Sequence, residues 1–286
     1  MLIIDGHAHI YSDDERVYPT IARPLRPRAG TGTVAQLDRQ RKAALVRHVV
    51  VIQATTCYGW DNRFLVDTAR ANPDWMTGIC TLDPDNPHSP ELLEVYAQGH
   101  NIRGLRSYQA ADGRLVHPGV DRLWDAARRL GIVVNVRVNR DKTAELAALL
   151  GRYSDLKVVL DHCLYLAAGP EHEPILKDVL ELARHANLHA KLSFLATGSK
   201  GPYPFEDMHD ACRRIIRAYG PDRCLWGSAF PCELWCPKAT YAQHIRLFTH
   251  ELGLDARTQE SILGKTARHL YFEPKTTVPA PTKGTR

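Results

Sequence analysis

The chain alternates between short apolar runs and longer amphipathic segments from one end to the other. Runs such as Val49–Ile52 and Ile132–Val134 are apolar without interruption, which is typical of strands buried on both faces. The pattern predicts eight strands, at Leu2–His7, His48–Ala54, Met76–Leu82, Ile102–Ser107, Ile132–Val138, Lys157–His162, Leu188–Phe194 and Cys224–Ser228.

The segments between these strands carry apolar residues at helical spacing. Asp61 or Asn62 is a suitable N-cap for one of them, and Ser89 caps another that has Pro90 at its first position and Gly99 at its end. The predicted helices are Val34–Leu45, Asn62–Ala71, Ser89–Gln98, Val120–Leu130, Lys142–Tyr153, Glu173–Arg184, Asp207–Tyr219, Tyr241–Leu252 and Arg257–Leu270.

Strands that alternate with helices indicate a parallel sheet, and eight such units predict a single (β/α)8 TIM barrel. The rival is a doubly wound open sheet, but no Gly-x-Gly-x-x-Gly follows the first strand, which counts against a dinucleotide-binding version. We expect one barrel domain over residues 1–272 and a C-terminal tail over 273–286, where Pro, Thr and Lys are frequent.

Composition adds little to this picture except by exclusion. The formal net charge is +5 and the basic residues are scattered, so the sequence predicts neither nucleic-acid nor membrane binding, and favours an anionic small molecule as partner. The chain has 7 cysteines, shows no leader and has no membrane-length apolar stretch, so we expect a cytoplasmic protein with reduced thiols. A homo-oligomer is compatible with the sequence.

Cys232 and Cys236 have the spacing of half a zinc clip. One pair without a second pair is weak evidence, and the sequence alone does not predict a metal site there.

The candidate chemistry begins at His7 and His9, which follow an apolar strand directly. Side chains at i and i+2 of a strand share one face, so the two imidazoles lie side by side at its carboxyl end. His162 follows another apolar run in the same way, and the three histidines together predict a three-histidine metal site with a position left for water. The alternative for His162 is a core histidine bonded to Asp161.

Other polar residues stand at the same end of the predicted barrel, where the catalytic groups of this fold lie. Arg106 and Arg137 are placed to bind a substrate carboxylate with the guanidinium fork, or else simply to reach solvent. Tyr58 and Trp60 are candidates for the wall of the pocket, with the barrel rim as their alternative place, and Lys191 is a further candidate for substrate binding.

Several short motifs, taken together, resemble the amidohydrolase superfamily in its amidohydrolase-2 branch. They are Asp5-Gly6-His7-Ala8-His9, Ile102–Arg106, Val159–His162, Lys191–Ser193, Trp226–Pro231 and Ile262–Arg268. The resemblance extends from Leu2 to about Phe272. Within this branch the chain is similar to lactonases such as 2-pyrone-4,6-dicarboxylate lactonase, and more distantly to decarboxylases. The resemblance implies that His7, His9 and His162 are catalytic or metal-binding, and that Arg106 contacts an acidic substrate.

One departure from the family concerns the end of the last strand. The resemblance implies an aspartate there, which binds the metal and takes a proton from the attacking water, but this chain has Ala229. A methyl group can do neither. Two explanations are open: a deliberate single substitution that removes the base, which the otherwise intact motif favours, or a natural protein that has kept binding and lost catalysis.

The second departure concerns the fifth strand, where many members carry a histidine and this chain has Asn135 and Arg137. No lysine ends the fourth strand, so we expect at most one divalent ion, zinc or manganese, with a metal-free site as the alternative. We therefore expect a hydrolase of a small, acidic lactone or cyclic amide, inactive through Ala229. A non-oxidative aromatic-acid decarboxylase and a catalytically silent binding protein are the alternatives.

Overall fold

Eight parallel strands pair in chain order and form a barrel, which confirms the predicted TIM-barrel fold. The structure is a computed structural model that describes residues 1–273. The strands are β1 (Ile4–Ala8), β2 (His48–Ile52), β3 (Met76–Thr81), β4 (Ile102–Ser107), β5 (Val133–Val136), β6 (Val158–Leu160), β7 (Leu188–Lys191) and β8 (Cys224–Leu225).

The barrel closes between β1 and the chain that follows β8. The backbone N–H of Gly6 donates to the Trp226 carbonyl at 3.1 Å, and that of His9 donates to the Phe230 carbonyl at 2.8 Å. Beyond Leu225 the backbone thus stays beside β1 without forming a regular strand, and it brings the segment around residue 229 next to the two histidines of β1.

Helices cover the outside of the barrel, and the structure adds short ones within the loops. They are α1 (Val34–Ala43), α2 (Thr55–Tyr58), α3 (Arg63–Ala71), α4 (Ser89–Gly99), α5 (Pro118–Leu130), α6 (Thr143–Arg152), α7 (His172–Leu182), α8 (Leu195–Gly198), α9 (His209–Tyr219), α10 (Cys232–Trp235), α11 (Tyr241–Arg246), α12 (Ala256–Glu260) and α13 (Thr266–Tyr271).

The last two predicted helices agree with the structure to within one residue at each end, and each includes a π-helical turn, at Leu247–Glu251 and Ser261–Lys265. One predicted cap is wrong. Ser89 is the first residue of α4 and not its side-chain cap, because its hydroxyl donates instead to the Asp83 carbonyl at 2.6 Å.

The barrel interior has two layers. Apolar side chains such as Val133 and Val159 form the lower layer, which α13 covers from the amino-terminal end of the strands. Asn135 lies two residues after Val133, and Asp161 lies two residues after Val159. Both side chains are completely buried. Since residues i and i+2 of a strand share a face, the upper layer is polar at the end of the barrel where we predicted the site.

Two further predictions concern the C-terminal tail and membrane-spanning segments. Of the predicted tail at 273–286, the segment 274–286 lies outside the described residues. Among residues 1–273, no helix is long and apolar enough to cross a membrane.

Candidate active site

A cavity of about 190 Å³ opens at the carboxyl ends of the strands. Three imidazoles, two guanidinium groups and several aromatic rings face it. The lining residues are His7, His9, Ala54, Thr55, Thr56, Arg106, Tyr108, Arg137, His162, Tyr165, Thr197, Ala229 and Trp235. The structure therefore places five of the predicted polar site residues, together with Ala229, around one cavity.

His7 and His9 form one hydrogen-bonded chain across the floor of this cavity. The Nδ1 of His9 lies 2.8 Å from the Ile52 carbonyl oxygen, which can only accept, so the proton of this neutral ring stands on Nδ1. The Nε2 of His9 then accepts from the Nε2–H of His7, at 3.2 Å. This leaves Nδ1 of His7 as an acceptor, and it faces the ammonium of Lys191 at 3.2 Å.

Asp161 is the anion at the centre of the polar layer. Its carboxylate accepts from Lys191 Nζ at 2.8 Å and from Arg106 Nε at 2.9 Å, and also from the amide of Asn135 at 3.2 Å. Burial would raise the pKa of Asp161, but Lys191 and Arg106 outweigh burial and hold the pKa below its usual value. One buried carboxylate therefore faces two buried cations, and the cluster carries a net positive charge.

The three imidazoles are neutral in this surrounding. Burial lowers the pKa of His9 to about 3, and the charge of Arg106 adds to the effect. Burial lowers the pKa of His162 to about 3 as well, against the opposing influence of Asp161, and it also lowers the pKa of His7 well below the ordinary value. At neutral pH the rings therefore act as hydrogen-bonding groups rather than as cations.

His162 does not stand on a strand, which corrects the prediction that the sixth strand reaches it. From His162 to Tyr165 four successive residues have φ between 47° and 58°, which makes a left-handed turn. Each L-residue in this region costs roughly 1–2 kcal/mol, so buried neighbours must hold the turn in place. The turn directs both His162 and Tyr165 into the cavity, with their rings 5.3 Å apart, and the Nδ1 of His162 lies 2.7 Å from the hydroxyl of Ser193.

Arg137 lines the mouth of the cavity between two aromatic rings. Its guanidinium carbon lies 5.3 Å from the centre of the Tyr108 ring and 5.1 Å from that of Tyr165. Within residues 1–273 no carboxylate forms an ion pair with Arg137. Its charge is therefore held in place by cation–π contacts and is available to an anion in the cavity.

Ala229 lies directly beside the histidine pair. Its backbone N–H donates to the His7 carbonyl at 2.8 Å, and its φ is 52°. Asp and Asn adopt this left-handed conformation several times more often than other non-glycine residues, so the backbone here suits a carboxylate side chain better than a methyl group.

Three predicted substrate-binding residues stand apart from the cavity. Lys191 is completely buried and meets Asp161 and His7 from below. The hydroxyl of Tyr58 accepts from the backbone N–H of Ser12 at 2.7 Å, and Trp60 is 45% exposed at the rim, where it contacts Tyr108.

The sequence reading missed Tyr108, Tyr165 and Trp235 as cavity residues. Of these three, only Tyr108 has a position in the sequence, directly after β4, that indicates a place in the cavity. The sequence pattern offers Asp161 only as a partner of His162 and gives no sign of its ion pairs with Arg106 and Lys191.

The amidohydrolase family model matches residues 4–272, nearly the whole chain. The chain belongs to this family. A curated relative of this amidohydrolase is the L-fucono-1,5-lactonase of Burkholderia ambifaria, 26% identical over 79% of the chain and 80% of the relative. Another is the 2-pyrone-4,6-dicarboxylate hydrolase of Comamonas testosteroni, 25% identical over 80% of the chain and 76% of the relative.

Among solved structures, the amidohydrolase resembles one from Burkholderia multivorans that was crystallised with bound zinc. The TM-score is 0.78 at 23% identity, over 96% of this chain and 100% of the other. At this identity the likeness supports the fold. Relatives named as a lactonase and as a pyrone hydrolase place the amidohydrolase among lactonase-like hydrolases.

Side chains of the types that bind metals lie together in this cavity of the amidohydrolase. One ligand atom each from His7, Asp161 and His162 lies within 4.8 Å of the others. The Nε2 atoms of His7 and His9 are 3.2 Å apart, close to the ~3.3 Å expected for two nitrogens bound to zinc at 2.0–2.1 Å in tetrahedral geometry. The spacing of these ligand atoms thus matches a metal site, but the hydrogen bonds and charges around them decide whether an ion binds.

Proposed function

We propose that the amidohydrolase binds a small anionic lactone and that its ancestral activity is hydrolysis of the ring ester. The observation that carries this proposal is the position of Ala229, whose backbone bonds to that of His7 beside the imidazole pair and faces a cationic cavity. A carboxylate at this position would stand beside the histidine pair, where a hydrolase needs a base for the attacking water.

The charge of the cavity supports an anionic substrate. The cluster of Asp161, Arg106 and Lys191 is net positive, and Arg137 adds a second unpaired charge at the mouth. Arg106 uses its Nε–H on Asp161 and faces the cavity with the rest of its guanidinium. Two guanidinium groups suit two carboxylates, and the Comamonas relative is named for a dicarboxylate. A cavity of about 190 Å³ suits a ligand with one ring.

The imidazole chain has a defined role in this proposal. Lys191 donates to His7, which donates to His9, which donates to the Ile52 carbonyl, so the chain fixes both rings in orientation and uses all their N–H groups. The groups left to stabilise the negative charge that develops on a lactone carbonyl oxygen are the guanidinium groups of Arg106 and Arg137, which line the same cavity. His162 completes the wall on the other side of His7, with ring centres 4.6 Å apart.

The step that this chain lacks is proton removal from water. The buried histidines resist protonation, since burial lowers the pKa values of His9 and His162 to about 3. Asp161 is occupied by Lys191 and Arg106. With Ala229 in place of a carboxylate, we expect the protein to bind its substrate and to turn it over slowly or not at all.

The arrangement of these residues does not fit a tightly bound divalent ion. An ion on Nε2 of His7 would force that ring's proton onto Nδ1, which faces the Lys191 ammonium at 3.2 Å. The nearby carboxylate already serves two cations, and an added dication would raise the positive charge further. We therefore favour a mechanism without a metal ion and assign no step to zinc or manganese. The presence of either ion stays a prediction from the sequence.

The test is calorimetric binding and product analysis with L-fucono-1,5-lactone, 2-pyrone-4,6-dicarboxylate and a carboxylated aromatic acid. The proposal expects the unmodified chain to bind 2-pyrone-4,6-dicarboxylate, the anionic lactone of the two, more tightly than the neutral fuconolactone, and Ala229→Asp to open the pyrone ring with release of acid and no CO2. Release of CO2 from the aromatic acid would identify a decarboxylase instead. Binding without turnover in both proteins would identify a silent binding protein. Turnover that disappears with a chelator would refute the mechanism without a metal ion.

A further inference from the structure

A second group of metal-binding side chains lies outside the active site, behind the segment that carries Ala229. Cys232, Cys236 and His244 each offer one ligand atom, and these atoms all lie within 4.8 Å of one another. All three side chains are buried, with exposures of 6%, 1% and 3%. Neither the family match nor the names of the relatives assigns a role to these residues.

The local backbone explains why the three meet. The N–H of Cys236 bonds to the Cys232 carbonyl at 2.9 Å, so one helical turn places the two thiols on the same side. His244 comes from α11, whose start is held by a capping box between Thr240 and Gln243. The Nε2 of His244 reaches to 3.1 Å from Cys236 Sγ. His244, eight residues after Cys236, is the third ligand, and the sequence pattern alone does not identify it.

We propose that Cys232, Cys236 and His244 bind one zinc-class divalent ion through three protein ligands, with a fourth position left open. In a tetrahedral zinc site with Zn–S of about 2.3 Å and Zn–N of about 2.0–2.1 Å, the ligand atoms stand roughly 3.5–3.8 Å apart, which the 4.8 Å cluster accommodates with small shifts. Two thiolates and one neutral imidazole balance a dication, so the loaded site is electrically neutral. This distinguishes it from the active site, where an ion would add to an excess of positive charge.

The fourth position has access to solvent. A cavity of about 710 Å³ borders the cluster at Cys232 and is lined on its far side by Arg26, Arg28 and Lys238. Water or a small anion therefore completes the coordination, and the same opening is the path by which the ion enters.

The site is placed to stabilise the loop that shapes the active site. The thiol of Cys236 donates to the Ser228 carbonyl at 3.6 Å, one residue before Ala229, and Trp235 of the same turn lines the active-site cavity. A bound ion would replace this weak hydrogen bond by a metal–sulfur bond at the same place in the fold. Tyr241 of α11 donates to Asp5 at 2.8 Å, two residues before His7. An ion that joins α10 to α11 would thus hold both sides of the cavity through neighbouring backbone.

The experiment is Co2+ titration of the reduced full-length protein, followed by visible and near-ultraviolet absorption. We expect one equivalent to produce sulfur-to-cobalt charge-transfer bands and the strong visible bands of tetrahedral Co2+, and Zn2+ to displace them and raise Tm. The signal should disappear in Cys236→Ser and weaken in His244→Ala. It should persist in Cys212→Ala, which removes a buried thiol elsewhere, and in His7→Asn with His9→Asn, which removes the active-site imidazoles.

The outcomes separate this proposal from its alternatives. Folded protein without charge-transfer bands at millimolar Co2+, or bands that persist in Cys236→Ser, would overturn it. Five free thiols instead of seven in the denatured, non-reduced protein, with Cys232 and Cys236 linked in a peptide map, would assign a disulfide instead. If Cys236→Ser does not fold, zinc protection of two thiols in the unmodified protein against a thiol reagent decides the question. None of these readouts depends on turnover, so the proposed hydrolase function can fail independently.

Discussion

The substitution Ala229→Asp tests the central argument about the active site. Residue 229 stands beside the histidine pair, because its N–H bonds to the His7 carbonyl at 2.8 Å. A carboxylate there is within reach of a water on the cavity floor. It also meets a net positive cluster, since the single carboxylate of Asp161 forms ion pairs with both Lys191 and Arg106. The new charge is therefore compensated rather than isolated, and it stays ionised at neutral pH.

The expected gain follows from the function that the carboxylate supplies. A positioned general base contributes about 10²- to 10⁴-fold in rate, which equals roughly 2.7–5.5 kcal/mol of transition-state stabilisation. The backbone should accept the change without loss of stability, because a φ of 52° suits aspartate better than alanine. We expect kcat to rise by at least about 10²-fold while Kd for the substrate changes little.

The assay compares three proteins on the same lactone, by acid release at constant pH. They are the unmodified chain, Ala229→Asp and the matched control Ala229→Asn. Asparagine has nearly the same shape and the same backbone preference, but it cannot take a proton. Equal kcat/KM for the alanine and aspartate proteins would refute the reasoning and require a base elsewhere. Equal activity of the asparagine and aspartate proteins would show that shape, and not proton transfer, is what the position supplies.

Three further predictions concern the charges around the cavity. Arg137→Met should weaken binding of a dicarboxylate by about 10- to 100-fold in Kd, roughly 1.4–2.7 kcal/mol, and leave a neutral lactone unaffected; calorimetry that shows equal losses for both would make Arg137 structural. Lys191→Met should destabilise the fold by about 1–3 kcal/mol, because Asp161 and Nδ1 of His7 each lose a buried donor while Arg106 still balances the carboxylate, and denaturant unfolding with a loss below about 1 kcal/mol would contradict the buried ion pair. Acid should weaken the fold: the folded-state pKa values of about 3 for His9 and His162 lie below the ordinary 6.5, so the unfolded state binds more protons between these values. The free energy of unfolding should then fall as pH falls through this window, by up to about 1.4 kcal/mol per unit for each histidine, and His162→Gln should flatten the profile of Tm against pH.

The barrel was predictable because its evidence is local. Each strand is a short apolar run and each helix an amphipathic segment, and these periods are readable without knowledge of distant contacts. The resemblance to amidohydrolases had the same basis, since short motifs remain recognisable in the chain. Predicted strand starts agree with the structure more closely than the ends, because polar residues at the carboxyl ends leave the sheet to enter the cavity.

The sixth strand illustrates where this reasoning failed. An apolar run followed by Asp161 and His162 predicts an extended strand through both, yet the strand ends at Leu160 and His162 begins a left-handed turn. No local signal predicts four left-handed L-residues in succession. Buried surroundings hold the turn, including the thiol of Cys163 against the Lys191 carbonyl at 3.5 Å.

By itself, then, the sequence determined the barrel and the end of it at which His7 and His9 lie, because strand period and chain order place these without reference to other elements. Which groups meet was decided only by the tertiary structure. Asp161 pairs with Arg106 and Lys191 across 55 and 30 positions of the chain, and His244 joins Cys232 and Cys236 from another helix. Charge compensation and ligand geometry depend on distances of a few ångströms between separate elements. Closure of the barrel sets those distances, and no pattern within a single element contains them.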